Sequence, residues 1–164
     1  MPTAAEPTTI LVVDDEDGIR QALDRFLTRQ GYRVAQAPDA AAALAALDQA
    51  HPLAMLCDIR MPNMSGVELL PKALAVDTDL AVIMLTAIDE PRTAIECLKL
   101  GAYDYLIKPV DLEERTEAIE TIALDALAAA RGWDGTKEAV ERLAAELGVP
   151  ADELLREVER RRTR

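Results

Sequence analysis

The 164-residue sequence contains very few aromatic side chains: one tryptophan, one phenylalanine and three tyrosines, together 3% of the chain. Proteins that bind single-stranded nucleic acid stack bases on aromatic rings, so this chain has little material for such a surface. Positive charge is also scarce, because 18 lysines and arginines face 30 acidic residues and leave a formal net charge of -12. A field of that sign repels phosphate backbones and anionic lipid, and it favours cations or basic protein surfaces as partners.

Long apolar runs and cysteine pairs are missing as well. The longest nearly apolar stretch, Leu80 to Ile88, is far shorter than the roughly 18 residues that a membrane span needs. Met1 to Thr9 lacks the basic start of a secretory signal. Cys57 and Cys97 lie in separate apolar runs, without the close spacing of a zinc or redox motif. We therefore expect a cytoplasmic protein with no membrane contact, no disulfide and no zinc.

The sequence does contain a regular alternation of short apolar runs and amphipathic segments. The runs that predict strands are 9–13, 32–36, 53–57, 80–85 and 104–107. The segments that predict helices are about 19–30, 39–50, 66–76, 90–100 and 112–130. Because the runs are continuously apolar, the strands should be buried on both faces. The alternation predicts an α/β fold, with a parallel sheet, right-handed crossovers and helices on both faces.

Two helices carry further local signals. Pro71 falls inside the third predicted helix, where it lacks an N–H and clashes with the preceding turn, so we expect a kink or a late helix start. Asp111 and Glu114 have capping-box spacing at the start of the fifth helix. Beyond Gly132, residues 136–147 and about 150–162 have the pattern of two amphipathic helices separated by a glycine. A helical hairpin should therefore follow the α/β body.

Polar side chains follow several of the predicted strands directly. They are Asp14, Asp15, Asp58, Thr86 and Lys108. The carboxyl ends of parallel strands meet at one edge of a sheet, so these side chains should converge. Three crowded carboxylates repel one another unless a cation such as Mg²⁺ lies between them. A lysine and a hydroxyl suit phosphoryl oxygens, and aspartate is a known nucleophile in phosphoryl transfer, so the pattern predicts a magnesium-dependent phosphoryl site.

Four segments, in this order along the chain, resemble the receiver domain of two-component response regulators: LVVDDED, CDIRMPNMSG, LTA and GAYDYLIKP. The resemblance covers residues 8–130 and leaves 131–164 as a helical extension. It implies a flavodoxin-like, doubly wound fold with five parallel strands in the order 2-1-3-4-5. It also implies a regulatory phosphoprotein rather than an enzyme that turns over a metabolite.

The resemblance assigns the acidic residues. Asp58 would be the phosphoacceptor, taking a phosphoryl group from a sensor histidine kinase or a phosphotransfer protein. Asp15, Asp58 and the backbone carbonyl of Arg60 would bind Mg²⁺ directly, and Asp14 would act mainly through metal-bound water.

The resemblance also assigns the residues around the phosphoryl group. Thr86, Ala87 and Lys108 would bind it, and the peptide bond between Lys108 and Pro109 would be cis, which only proline makes inexpensive. Thr86 and Tyr105 would be the switch pair. Their movement would shift the population of two states of the surface formed by the fourth helix, fifth strand and fifth helix.

Two further positions should set the lifetime of the phosphorylated form. Arg60 and Ile88 stand two residues after the phosphoacceptor and the switch threonine, where the family controls the approach of water. Ile88 cannot hydrogen-bond a water, and Arg60 has the length to cover the phosphoryl group. A slowly hydrolysing phosphoprotein is expected.

An enzyme class is the alternative for part of the same region. Asp15, Glu16, Asp17 and Gly18 resemble the DxDG signature of haloacid-dehalogenase phosphatases, in which Asp15 would be the nucleophile and Asp17 the acid/base. Ile19 departs from that family's pattern, and the α/β body is short for it. Identifying the aspartate that carries phosphate distinguishes the receiver interpretation from the phosphatase interpretation.

The C-terminal extension has two interpretations. Its glycine-centred spacing fits a helix-turn-helix, which would make the chain a DNA-binding transcriptional regulator. Its second helix carries Asp152, Glu153 and Glu157 where DNA contacts demand basic or amide side chains, which argues against that output. The other interpretation is a hairpin that packs its apolar stripe against the receiver or against a second copy in a homodimer. The stripe comprises Val140, Leu143, Leu147, Leu154, Leu155 and Val158. We expect signalling to a downstream protein target, and the sequence is also compatible with an effector domain after Arg164.

Overall fold

A computed structural model describes residues 8–86, 91–107 and 136–162. Its strands are β1 (Thr9–Val13), β2 (Arg33–Ala37), β3 (Ala54–Asp58), β4 (Ala81–Thr86) and β5 (Asp104–Ile107). Its helices are α1 (Asp17–Arg29), α2 (Ala40–Ala50), α3 (Gly66–Val76), α4 (Pro91–Lys99), α5 (Thr136–Leu147) and α6 (Ala151–Arg162). The predicted helix over 112–130, its capping box and the boundary near residue 131 lie outside the described residues.

The five strands form one parallel sheet in the order β2-β1-β3-β4-β5, which confirms the predicted doubly wound fold. Strands β1, β3 and β4 are buried along their whole length, as their continuous apolar runs predict. One face of the sheet packs against the apolar stripe of α1, and the other packs against α2, α3 and α4. Helices therefore cover both faces.

Three strands begin and end one residue later than the apolar runs predict. In β3 the pairing includes Asp58 opposite Leu85, and in β4 it includes Thr86 opposite Ile107. β2 likewise runs to Ala37, opposite Val13. Backbone hydrogen bonding between strands determines where each strand ends. It includes Asp58 and Thr86 in the sheet, although their polar side chains would predict that the strands stop before them.

The helix starts follow from capping side chains. Asp39 accepts a hydrogen bond from the N–H of Ala42 at 2.8 Å, and Ser65 accepts one from the N–H of Glu68 at 3.2 Å. The cap at Ser65 starts α3 at Gly66, with Pro71 inside the helix. The predicted late start of this helix is therefore wrong, because the cap lies six residues before the proline.

Helices α5 and α6 form the predicted hairpin, here called the C-terminal hairpin (residues 136–162), and it packs on α4 and β5 of the same chain. Val140, Leu143 and Val158 are buried in the core cluster that also contains Leu98 and Tyr105. Among the described residues, no helix has both the length and the apolar character needed to cross a bilayer.

Candidate functional site

Three carboxylates meet at the carboxyl end of the sheet. Val13 pairs with Cys57, so the residues that follow them, Asp14 and Asp58, lie side by side on neighbouring strands. One oxygen each of Asp14, Asp15 and Asp58 lies within 4.8 Å of the other two. Asp14 and Asp58 are buried, whereas Asp15 is exposed to solvent. The structure therefore brings together the three acids that the sequence singled out.

Backbone amides orient the two buried carboxylates. The N–H of Glu16 donates to Oδ1 of Asp14 at 2.9 Å, and the N–H of Arg60 donates to Oδ1 of Asp58 at 3.3 Å. Each bond ties a carboxylate to the loop that follows its own strand. A set of three close carboxylates made only of oxygen donors fits a hard divalent cation, which would relieve their mutual repulsion.

Thr86 and Tyr105 lie on the neighbouring strands β4 and β5. Tyr105 pairs with Met84 and Ile107 pairs with Thr86, so the predicted switch residues are two register positions apart. Side chains two positions apart on a strand share a face, which places the hydroxyl and the aromatic ring on the same side of the sheet. Both residues are buried.

Lys108 follows Ile107 in the sequence, directly after the residue that pairs with Thr86. Lys108, Pro109, Ala87 and Ile88 themselves lie outside the described residues. Their predicted roles, including the cis peptide bond, stay predictions.

Arg20 supports the acidic loop and was missed by the sequence analysis. Its guanidinium donates to the backbone carbonyl of Asp14 at 2.6 Å, forms an ion pair with Asp17 and reaches Oε1 of Gln36 at 3.3 Å. It thereby joins β1, α1 and β2 behind the acids. The sequence offered only an arginine in the first turns of α1 and, separately, the polar Gln36 in β2. Nothing in the sequence shows that these two side chains meet, because their contact depends on the pairing of β1 with β2.

Gly66, at the start of α3, was also missed. Its N–H donates to the carbonyl of Ile59 at 2.7 Å. A Cβ at residue 66 would stand 2.2 Å from the carbonyl oxygen of Asp58, closer than atoms can approach. Only glycine lets α3 begin this near the backbone of Asp58. A glycine in a first helical turn, where alanine is the better helix former, was the signal for such a close approach.

Cys57, beside Asp58 in β3, is buried and free, as is Cys97 in α4. Burial, with the charge of Asp58 next in effect, raises the pKa of the Cys57 thiol far above its ordinary value. Burial likewise raises the pKa of Cys97 to about 12. Both residues therefore stay protonated and pack as small apolar side chains.

The fold and the acid cluster define a doubly wound α/β protein with three close carboxylates at the carboxyl edge of its sheet. Residues 10–120 match the family described as the response regulator receiver domain. The chain belongs to that family. This confirms the resemblance drawn from the four sequence segments and gives the phosphatase alternative no support.

Individual relatives agree with the family match. The chain is 43% identical over 105 residues to the regulatory protein AtoC of Escherichia coli, a match that covers 64% of this chain and 23% of that protein. It is 34% identical over 111 residues to sporulation initiation phosphotransferase F of Bacillus subtilis, covering 68% and 90% of the two chains.

Among solved structures, a CheY-like receiver domain from Methanospirillum hungatei superposes with a TM-score of 0.65 at 29% identity. That match covers 77% of this chain and 99% of the other. The match thus spans 90% of the phosphotransferase, but only about a quarter of AtoC.

Proposed function

We propose that Asp58 accepts a phosphoryl group from the phosphohistidine of a sensor histidine kinase or phosphotransfer protein, and that the chain passes this signal on through protein contacts. The observation that carries the proposal is the buried carboxylate of Asp58 beside Asp14 and Asp15, on an edge shared with Thr86. Membership of the receiver family supports it, as does the phosphotransferase named among the relatives. The proposed role is regulation, without turnover of a metabolite.

The transfer is a displacement at phosphorus. A carboxylate oxygen of Asp58 forms the new P–O bond while the P–N bond to the donor imidazole breaks, and the departing nitrogen keeps the electron pair. Hydrolysis later breaks the P–O bond by attack of water at phosphorus, which returns inorganic phosphate and the free carboxylate. The protein contributes mainly position and charge neutralisation.

Mg²⁺ is the cation proposed for the acidic edge, held by Asp14, Asp15, Asp58 and the backbone carbonyl of Arg60. When bound, it neutralises charge on the carboxylates and the phosphoryl oxygens. The Thr86 hydroxyl donates to a phosphoryl oxygen. The backbone N–H of Ala87 and the ammonium group of Lys108 bind the remaining oxygens. The proposed cis peptide bond joins Lys108 to Pro109. Thr86 and Tyr105 form the proposed switch.

The experiment that tests this function is labelling with acetyl phosphate and Mg²⁺, followed by peptide mapping. Asp58→Asn should abolish the label, because it removes the proposed acceptor carboxylate. Asp15→Asn should weaken Mg²⁺ binding by at least tenfold, measured by titration calorimetry. Asp48→Asn is the matched control, since Asp48 is exposed near the end of α2, which leads to the start of β3 at the opposite edge of the sheet. Label that persists in Asp58→Asn and is lost in Asp15→Asn would revive the phosphatase reading.

We further propose a long-lived phosphorylated form. The Arg60 side chain is exposed beside Asp58, where it can cover the phosphoryl group, and the branched side chain of Ile88 offers no hydrogen bond to an attacking water. The double variant Arg60→Asn, Ile88→Glu should therefore release phosphate several-fold faster than the parent protein. The rate is measured as the decay of the labelled protein with time. Loss of phosphate from the parent within seconds, or no acceleration in the variant, would contradict this.

The receiver (8–130) and the extension (131–164) are the proposed parts of the chain. DNA binding through the extension is the alternative output, but α6 carries Asp152 and Glu153 in its first turn, and these repel phosphate. Deletion of residues 133–164 tests both outputs, with light scattering for a homodimer and gel shift at varied salt for DNA. A cytoplasmic location stays a prediction from the sequence.

A further inference from the structure

The guanidinium group of Arg20 is held between three elements beside the acidic loop. Only 12% of the Arg20 side chain is exposed. Among the described residues, its three nitrogens bond three different groups: Nη1 donates to the carbonyl of Asp14 at 2.6 Å, Nη2 pairs with Asp17, and Nε donates to Oε1 of Gln36 at 3.3 Å. A guanidinium is a rigid planar fork, so partners in three directions fix its position.

The carbonyl that Arg20 bonds belongs to the peptide group that joins Asp14 to Asp15. This group is planar, so the direction of its carbonyl sets the direction in which the backbone continues into Asp15. On the other side of Asp14, its N–H donates to the carbonyl of Ala37 at 3.1 Å. Asp15 is exposed and receives little support from packing. Its place in the cluster of three carboxylates therefore depends on how this peptide group is held.

Arg20 is itself held by a chain of side chains. The amide of Gln36 accepts from Arg20 through Oε1 and donates through Nε2 to Oδ2 of Asp24 at 2.6 Å. The hydroxyl of Thr28 donates to Oδ1 of the same aspartate at 2.9 Å. A guanidinium only donates and a carboxylate only accepts, so a single orientation of the Gln36 amide satisfies both neighbours. The network of Arg20, Gln36, Asp24 and Thr28 thus has a defined direction that ends on the Asp14 carbonyl.

The charge of Arg20 does not explain its place beside the acids. A guanidinium and a divalent cation have the same sign, so Arg20 opposes cation binding by its charge alone. The ion pair with Asp17 adds little stability, because 76% of the Asp17 side chain is exposed. An effect of charge and an effect of position therefore predict opposite results when Arg20 is replaced by a neutral side chain.

We propose that Arg20 is a positioning residue for the cation: held by Gln36 and Asp24, it fixes the peptide group between Asp14 and Asp15 so that their carboxylates converge on Asp58. This rests on the proposed cation site. Without Arg20 the loop adopts several orientations, and the apparent affinity falls with the fraction of molecules that present all three carboxylates together. Groups that hold the ligands of a metal commonly change its affinity by tenfold or more, and about tenfold is expected here.

The test measures Mg²⁺ binding by calorimetry without a phosphoryl donor, and then labelling by acetyl phosphate over a range of Mg²⁺ concentrations. Arg20→Gln and Arg20→Lys should both weaken Mg²⁺ binding about tenfold, because lysine keeps the charge but has a single nitrogen for three partners. Half-maximal labelling should need correspondingly more Mg²⁺, while the rate at saturating Mg²⁺ returns to that of the parent protein. Arg25→Gln is the matched control, since it removes the same charge from an exposed position of the same helix and should change neither quantity.

The outcomes separate this inference from the proposed function. Mg²⁺ binding by Arg20→Gln that equals or exceeds that of the parent would overturn it, as would parent-like binding by Arg20→Lys. A parent protein that binds Mg²⁺ but takes up no label would overturn the phosphoacceptor alone, whereas one that binds no Mg²⁺ would overturn the cation site and this inference with it. If the Arg20 variants fail to fold, Gln36→Leu decides the question. Weaker Mg²⁺ binding at parent-like stability supports the network, and parent-like binding refutes it.

Discussion

The carbonyl oxygen of Asp58 lies 2.2 Å from the point where a Cβ of residue 66 would stand. Replacing glycine by alanine at a helical position ordinarily stabilises a protein by about 1 kcal/mol. Here the clash with a buried backbone oxygen should reverse the sign, and Gly66→Ala should lose about 2 kcal/mol of unfolding free energy. It should also slow labelling of Asp58, because relief of the clash displaces the main chain of the phosphoacceptor. Urea unfolding and acetyl phosphate labelling measure the two effects.

Ser65→Ala provides the control for that variant. It removes the cap of the same helix and should cost about 1 kcal/mol, but it introduces no atom near Asp58. Its labelling rate should match that of the parent protein. Equal loss of labelling in both variants would show that helix stability, not the position of the Asp58 backbone, controls the reaction.

Sequence reasoning at the level of single residues succeeds where a side chain's role follows from its place on one strand. Asp14, Asp58 and Thr86 stand at the ends of apolar runs, and parallel strands bring such ends together. Arg20 and Gly66 were missed because each closely approaches a main-chain carbonyl, that of Asp14 and that of Asp58 respectively. The type of the residue hints at a close contact, but only the fold shows which carbonyl is involved.

At the scale of the element, helix α3 contains an exposed proline. Pro71 cannot donate to the carbonyl of Val67, and its side chain contributes no buried surface. Pro71→Ala should restore that hydrogen bond and stabilise the protein by about 1 kcal/mol, after allowance for the greater freedom of the unfolded chain. Lys72→Ala, at the neighbouring exposed position, should change the unfolding free energy little. A destabilised Pro71→Ala protein would show that the ring makes contacts that outweigh the missing bond.

The elements themselves were largely predictable. Strand β1 and the helices α3 and α5 have the bounds that their patterns indicate, because apolar periodicity and capping act within one segment. The one-residue shifts of β2, β3 and β4 arise from pairing between segments. The surface on which the hairpin packs could not be predicted from the sequence either. The apolar stripe at Val140 and Leu143 shows that the hairpin needs an apolar partner, but not which surface provides it.

At the scale of the whole molecule, the hairpin and the α/β body share one core cluster. Thermal unfolding should therefore be a single transition for both. Leu143→Ala, which empties a buried position of the hairpin, should cost about 3 kcal/mol and lower the midpoint of that one transition by roughly 9 °C. Calorimetry with circular dichroism measures it. Glu141→Ala, at the exposed neighbouring position, is the control and should shift the midpoint little. Two separated transitions, with only the first moved by Leu143→Ala, would contradict a shared core.

The strand order has a consequence for how the chain assembles the proposed cation site. Strand β1 lies between β2 and β3, so during synthesis it gains one neighbour early and the other only after a second helix has been made. Its acids at positions 14 and 15 meet Asp58 only when that later strand arrives, and Thr86 completes the edge later still. No fragment that ends before β3 holds all the proposed cation ligands. Cation affinity at the proposed site should therefore appear with the pairing of β1 and β3, and a refolding chain should recover it together with that slow, long-range strand pairing rather than with its helices.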